Sequence, residues 1–310
     1  MKIIISPSKN LNFFSTLPTK EYTQPIFQKE IAQVHKELKE LSLRQIAQYM
    51  GISMNLAQLN WERYQDFSLP LTPENARPAL FAYAGTVYEG LDAYSLSLEE
   101  IQRLQKDLRI PSGFYGLLKP LDLIAPYRLE MGTKITIDKA IDLYDFWSKK
   151  VTEALNKELQ PEELLINLAS VEYAKVINRS SLKATIITPI FKQWKGDTLR
   201  TIISYTKKAR GSMVRYIAQN NLTEAEDLKG FNLDGYSFNE EGIELIDDLL
   251  TAYMLLTAQN KDGLLPSYAI PEPRRNTGEE HLLDCMRAIE TYHELQLIYY
   301  DYRDEQTKTY

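Results

Sequence analysis

Cysteine is almost missing from this sequence: Cys285 is the only one in 310 residues. A single thiol excludes an internal disulfide, redox chemistry by a cysteine pair, and any thiolate cluster holding zinc or an iron–sulfur centre within one chain. Histidine is nearly as scarce, with His35 on a helical pattern and His281 and His293 close to the C-terminus. A Ser-His-Asp triad or a histidine metal site in the main body would lack its partners. No metal and no cofactor are therefore expected. Long apolar runs are also lacking. Met1–Ile5 turns at Ser6-Pro7, far too short for a signal-peptide core or a membrane span, and a cytoplasmic protein is expected.

What is present is the composition of a folded protein, 44% apolar and 25% charged. The net charge of −6 is unevenly spread. Residues 1–230 carry 30 Lys and Arg against 26 Asp and Glu, a net of +4, whereas residues 231–310 carry 6 against 16, a net of −10. The acidity sits in the tail, and that asymmetry bears on partners rather than on fold. The expected organisation is a body over residues 1–238 with a basic cleft, and an acidic, mainly helical appendage over 239–310.

Lys2–Ile5 reads as a short strand that delivers Ser6 and Lys9 to a loop at its end. Residues 24–67 carry three helical patterns, and Ser97-Leu98-Glu99-Glu100 is a capping box opening a helix to about Leu108, with Pro111 beyond it. An amphipathic helix is expected over Ala140–Leu159, with Ile141, Tyr144, Trp147, Val151 and Leu155 on one face. Leu164–Leu168, Thr185–Phe191 and Thr201–Ser204 read as strands, the last feeding a helix over Tyr205–Asn220. Strands separated by helices indicate α/β, with mixed α+β pairing left open. In the appendage, helices are expected over Glu240–Ala258 and from the capping box Thr277–Glu280 to about Tyr300. The tyrosines at 292, 299, 300 and 302 there suggest a packed face or a protein partner.

Four segments are candidates for chemistry. Ser112-Gly113-Phe114-Tyr115-Gly116, followed by Lys119, combines glycines that let backbone N–H groups approach a phosphate; the alternative is a tight turn with Phe114 and Tyr115 buried. Arg128 and Glu130 are two residues apart, which on a strand places both on one face, either for a ligand or as a mutual pair. Asn167, Ser170 and Glu172 come after a buried strand, where α/β proteins place functional groups and where small polar residues also cap helices. Tyr205-Thr206-Lys207-Lys208-Ala209-Arg210-Gly211-Ser212-Met213-Val214-Arg215 puts four cations in nine positions at a helix start. Lys208, Ser212 and Arg215 form one stripe, Gly211 leaves room for a backbone to come close, and no acidic residue within the helix compensates the charge.

Ile5–Lys9, Phe81–Leu91, Ser112–Leu123, Pro126–Gly132, Asn167–Tyr173, Tyr205–Arg215 and Gly230–Tyr236 together resemble the YaaA family of bacterial peroxide-stress proteins, in the family's order over about residues 1–238. The resemblance implies an α/β fold of the family's own and a role in peroxide resistance by limiting free iron. It also implies DNA binding through a basic cleft and a helix-hairpin-helix-like element. On this sequence that element maps to helix 97–108, the turn at Ser112–Gly116 and the extended segment after it, and the cleft to Lys9, Lys207, Lys208 and Arg210. The turn reads Gly-x-x-Gly where ordinary modules have Gly-x-Gly, and the acidic segment after Phe238 is additional.

The expected function is DNA binding, to duplex or distorted forms, with Lys9, Ser112, Gly113, Gly116, Lys119, Arg128, Lys207, Lys208, Arg210 and Arg215 at the interface. Ser6, Asn167, Ser170, Glu172 and Tyr205 are further cleft candidates. No base-reading element is evident, so binding should be independent of sequence and sensitive to salt. The alternative is an enzyme of unassigned reaction acting on a phosphorylated small molecule in the same cleft.

Overall fold

The computed structural model describes residues 1–160, 163–195, 198–238 and 295–302. Its centre is an eight-stranded sheet. The strands are β1 (Lys2–Ile5), β2 (Leu108–Ser112), β3 (Gly116–Leu118), β4 (Leu164–Leu168), β5 (Thr185–Lys195), β6 (Thr198–Arg200), β7 (Tyr236–Phe238) and β8 (Leu295–Tyr302). Their order is β7-β8-β5-β4-β1-β2-β3, with β6 paired to β5. Five neighbours, β8, β5, β4, β1 and β2, run parallel, and β3, β6 and β7 add antiparallel partners. The α/β reading is thus correct, with mixed pairing at the sheet's margins.

A parallel strand is covered on both faces, which is why Ile3, Ile4, Ile5, Leu165, Ile166 and Leu168 form unbroken apolar runs and are all buried. The chain leaves β1 for β2 on one side and returns to β4 on the other. The loops at the carboxyl ends of β1 and β4 therefore diverge around a crevice, the place where open α/β sheets hold their ligands.

The helices obey their local signals. α1 (Gln28–Lys39), α2 (Leu43–Met50) and α3 (Met54–Asp66) occupy the three patterns read in residues 24–67. α2 begins at a Ser42–Gln45 capping box and stops at Gly51 in the left-handed conformation. α4 (Thr86–Leu91) is a short helix, and α5 (Leu98–Asp107) opens on the expected Ser97–Glu100 capping box. α6 (Leu143–Glu158) starts three residues later than expected because Asp142 caps it, its Oδ1 accepting the Asp145 N–H at 2.8 Å. Ile141 therefore lies outside the helix, 78% exposed, and Leu143 and Phe146 join Trp147, Val151 and Leu155 in the core. α7 (Ile203–Asn220) begins within the segment expected as a strand, and the strand there is Thr198–Arg200. No helix among the described residues is long and apolar enough to cross a membrane.

Two further expectations change. After α5 the chain does not form helix-hairpin-helix: β2 and β3 pair antiparallel through Ser112↔Gly116, so the glycines close a β-hairpin. The helices expected over Glu240–Ala258 and at Thr277–Glu280 lie outside the described residues. Leu295–Tyr302, assigned in sequence to the end of the second helix, is instead a strand between β5 and β7. Its Leu-Gln-Leu-Ile-Tyr-Tyr composition is rich in residues that suit a pleated sheet. Deleting 239–310 would therefore take an internal strand out of the sheet.

Candidate functional site

The loop after β1 is tied to the loop after β4. Ser6 Oγ accepts the Ser170 N–H at 2.8 Å and lies 3.3 Å from Ser170 Oγ, while the Tyr88 hydroxyl donates to the Ser6 carbonyl at 3.2 Å. Ser170 thus engages its neighbour strand rather than capping the short helix at Val171–Ala174, where its side chain makes no cap hydrogen bond. Glu172 Oε1 accepts the Gly132 N–H at 3.0 Å, which draws the 128–132 segment over the same strand ends. Lys9 Nζ and Arg128 Nη2 each lie 3.1 Å from Glu130 Oε1, with no N–H aligned on that oxygen, so these are ion contacts rather than directed hydrogen bonds. Ser6, Lys9, Arg128, Ser170 and Glu172 are thus brought together at the strand ends. Two carboxylates offset the two cations, so this cluster has little net attraction for an anion.

Lys207 and Arg210 stand on either side of the first turns of α7, and neither has an ion pair among the described residues. On one side exposed Lys207 faces Thr86 and Arg200 across an open concavity of about 720 Å³. On the other, Arg210 sits in a cleft of about 470 Å³ with Asn167, Thr188, Lys175 and Arg179. Among the described residues, neither is lined by Asp or Glu. Burial pulls the Arg210 guanidinium below its ordinary pKa, and no carboxylate among the described residues faces it. It remains a cation at neutral pH, because guanidinium does not lose its proton in proteins. The β1 loop stands between the two concavities. Ser6 holds Ser170, whose neighbours Ala169 and Val171 line the Arg210 cleft, and Ser8 lies against Gly85, next to Thr86. Tyr205 is exposed at the start of α7.

The rest of the basic segment is structural. Lys208 Nζ lies 2.6 Å from Asp234 Oδ1, and Ser212 Oγ donates to the other oxygen of the same carboxylate. Arg215 donates to the Asp92 and Leu91 carbonyls and to Ser95 Oγ, at 3.0, 3.2 and 2.8 Å. It satisfies orphan carbonyls at the end of α4, where Asp92 is left-handed. The compensating acids come from distant segments, so their absence within the helix was no sign of a missing anion. Arg215→Ala is expected to lower stability by about 1–3 kcal/mol through these stranded carbonyls, read by urea unfolding. Its nucleic-acid affinity should match that of the wild type.

The Ser112–Gly116 turn offers nothing to a phosphate. Ser112 is 0% exposed, its hydroxyl 2.8 Å from the Tyr127 hydroxyl and accepting the Tyr115 N–H at 3.1 Å. Trp147 Nε1 donates to the Gly113 carbonyl at 2.8 Å, and Gly116 has φ +75° with Trp147 where a Cβ would project. The tight-turn alternative is the one realised, with Phe114 and Tyr115 in the core. Lys119 comes after β3, beside Arg109 at the amino edge of the parallel strands and remote from Lys9, and lies 3.4 Å from Glu158.

Sequence reading missed what underlies the crevice, a cluster of buried tyrosines. The Tyr83 and Tyr127 hydroxyls are 2.6 Å apart, and Tyr115 and Tyr88 pack with them. Burial pushes the Tyr127 phenol up to about 12 and raises Tyr83, Tyr88 and Tyr115 well above the ordinary value, so all are neutral donors. The signal was the aromatic density of Phe81–Tyr88 and Phe114–Tyr127, read only as part of a motif.

A family profile described as peroxide stress protein YaaA matches residues 1–242. The chain belongs to the YaaA family. A relative from Flavobacterium johnsoniae, named a UPF0246 protein, is 53% identical over 239 residues, covering 77% of this chain and 95% of the relative. Similar relatives occur in Flavobacterium psychrophilum (50% over 239 residues, 77% and 95%) and Teredinibacter turnerae (49% over 241 residues, 77% and 94%). The family match thus covers the crevice, α4 and α7, including Lys9, Lys207 and Arg210, and stops before β8.

Proposed function

We propose that this protein serves peroxide-stress resistance by binding nucleic acid, duplex or distorted, through the basic face around α7, and so limits iron-driven oxidative damage to it. The observation that carries this reading is the pair of open concavities lined by Lys207 and by Arg210, with no carboxylate among the described residues that line them. An open cationic surface suits a charged backbone lying across it, and the concavities present charges and hydroxyls among apolar side chains such as Ile202, Ile203 and Val171, with no helix or ribbon among the described residues shaped to enter a groove. Of the expected interface, Lys207 and Arg210 keep their part, Lys175 and Arg179 are added, and Lys9 and Arg128 are set aside because Glu130 and Glu172 offset their charge. Ser112, Gly113, Gly116, Lys119, Lys208 and Arg215 are released to structural roles, and the helix-hairpin-helix element is dropped.

The test is binding of a fluorescent duplex by wild type, by Lys207→Ala/Arg210→Ala and by Lys208→Ala. The double variant should lose about tenfold or more in affinity as two phosphate contacts disappear, and Lys208→Ala should bind as the wild type does. Equal binding by all three would remove the assigned interface.

A second reading is favoured by one observation: Ser6, Ser170 and Glu172 lie beside the Arg210 cleft. In an enzyme acting on a phosphorylated small molecule, that cleft would hold the phosphate and these groups would face the reacting carbon. Turnover of such a compound, abolished by Ser6→Ala, would decide for it.

A further inference from the structure

The Arg210 cleft differs in kind from the shallow surface beside Lys207. It is smaller and less open, and three basic residues line it: Arg210 in its wall, with Arg179 and Lys175 exposed at its rim, the Lys175 ammonium 4.9 Å from the Tyr144 ring centroid. The polar lining is set to donate. Asn167 Oδ1 accepts the Ala169 N–H at 3.1 Å and Asn167 Nδ2 donates to Thr188 Oγ1 at 3.2 Å, which fixes the amide. With its oxygen already accepting, the Thr188 hydroxyl has its own proton left, and no acceptor among the described residues takes it. The cleft therefore offers three basic residues and a hydroxyl donor, with no carboxylate among the described residues to compete.

A phosphodiester within a strand brings one negative charge and two free oxygens. A phosphomonoester brings three free oxygens and a charge of about −1.5 to −2 at neutral pH, because its second pKa is about 6. Three cations and a donor match the monoester better. Size points the same way: about 470 Å³ suits a nucleotide-sized ligand and cannot admit a duplex, which would have to lie across the mouth.

Resting on the nucleic-acid reading and going beyond it, we infer that the Arg210 cleft receives a terminal phosphomonoester, the phosphorylated end of a nucleic-acid strand, while the Lys207 side holds the backbone leading to it. Oxidative scission of a sugar leaves phosphomonoester termini, so an end-binding cleft would place the protein at strand breaks. Free mononucleotides carry the same group, and the two sources are separable by experiment.

The experiment measures binding of the full chain to one fluorescent duplex with 5′-phosphate, 3′-phosphate or hydroxyl ends, and to a dumbbell with no ends, using 5′-AMP as competitor. A phosphorylated end should tighten binding about tenfold over the hydroxyl duplex and the dumbbell, the size expected of added hydrogen bonds between charged groups. That gain should vanish in Arg210→Gln, shrink in the surface variant Lys175→Ala/Arg179→Ala, and fade below about pH 6 as the monoester takes its second proton. The surface variant keeps the test valid if Arg210→Gln fails to fold. Equal, salt-sensitive affinity for all four DNAs would overturn end recognition and leave the nucleic-acid reading standing. Binding of 5′-AMP without any duplex binding would overturn the nucleic-acid reading and the strand-end assignment together, leaving a mononucleotide site. Binding of neither would overturn both the inference and the reading beneath it.

Discussion

Alanine in place of Gly211 is expected to lower the melting temperature by about 5 °C and to weaken nucleic-acid binding with it. Gly211 lies inside α7 where the helix crosses α4. A Cβ there would stand 1.8 Å from the Val87 carbonyl oxygen and 2.7 Å from the Leu91 nitrogen. Gly90 of α4 makes the reciprocal approach, its Cβ falling 2.1 Å from the Lys208 carbonyl oxygen. All of these neighbours are backbone atoms, so no side chain can rotate away and the helices must part. Alanine gains about 1 kcal/mol over glycine in a helix interior, while overpacking a close contact costs about 1–3 kcal/mol and more where backbone must move. A net loss of about 3 kcal/mol corresponds to the stated shift in a chain of this size. Because α7 carries Lys207 and Arg210, its displacement also moves both cations away from Thr86 and Asn167. A melting temperature within about 2 °C of wild type would refute the close packing of the two helices.

The second large effect is on pH dependence. Asp122 is 1% exposed, and its carboxyl is pushed up from 3.8 to about 6, chiefly by burial. Hydrogen bonds from the Thr23 hydroxyl at 2.6 Å and the Lys119 N–H at 2.7 Å, with the nearby Lys119 and Arg109 charges, only partly offset that burial. A folded pKa above the unfolded one means that the fold prefers the protonated group. The favourable contribution is complete below about pH 4, declines as pH rises, and is lost above about pH 6, a difference of about 3 kcal/mol. Asp122→Asn keeps an acceptor for the Lys119 N–H and removes the buried charge. It is expected to be more stable than wild type by about 2 kcal/mol at pH 7.5, with the difference closing by about pH 4. Urea unfolding at the two pH values measures this; a constant difference would refute the shifted Asp122.

The legible parts of the sequence were those with local causes. The Ser97–Glu100 capping box, the β-branched run Lys2–Ile5 and the apolar run Leu164–Leu168 formed the elements expected of them, because each signal acts within a few residues. The family motifs were also legible, as a combination. The meaning of the glycines and charges was not. Gly211 was read as space for a ligand's backbone, and the backbone that fills it belongs to α4, 124 to 120 residues earlier at Val87 and Leu91. Lys208 and Arg215 looked uncompensated because helical spacing shows only i±4 neighbours, whereas Asp234 and Asp92 arrive through tertiary structure. Lys175, Arg179 and Thr188 carried no signal at all, since the end of the short helix Val171–Ala174, the helical turn Arg179–Ser181 and strand β5 meet only in the folded cleft.

The most direct test of the account is the salt dependence of binding to a fluorescent duplex. The logarithm of the binding constant should fall linearly with the logarithm of salt between about 50 and 200 mM, with a slope near −3 to −4 for four cations on phosphates, and Lys207→Ala/Arg210→Ala should reduce that slope by about 2. A flat line for the wild type, or an unchanged slope in the folded variant, would contradict the assignment of the α7 face as a phosphate-binding surface.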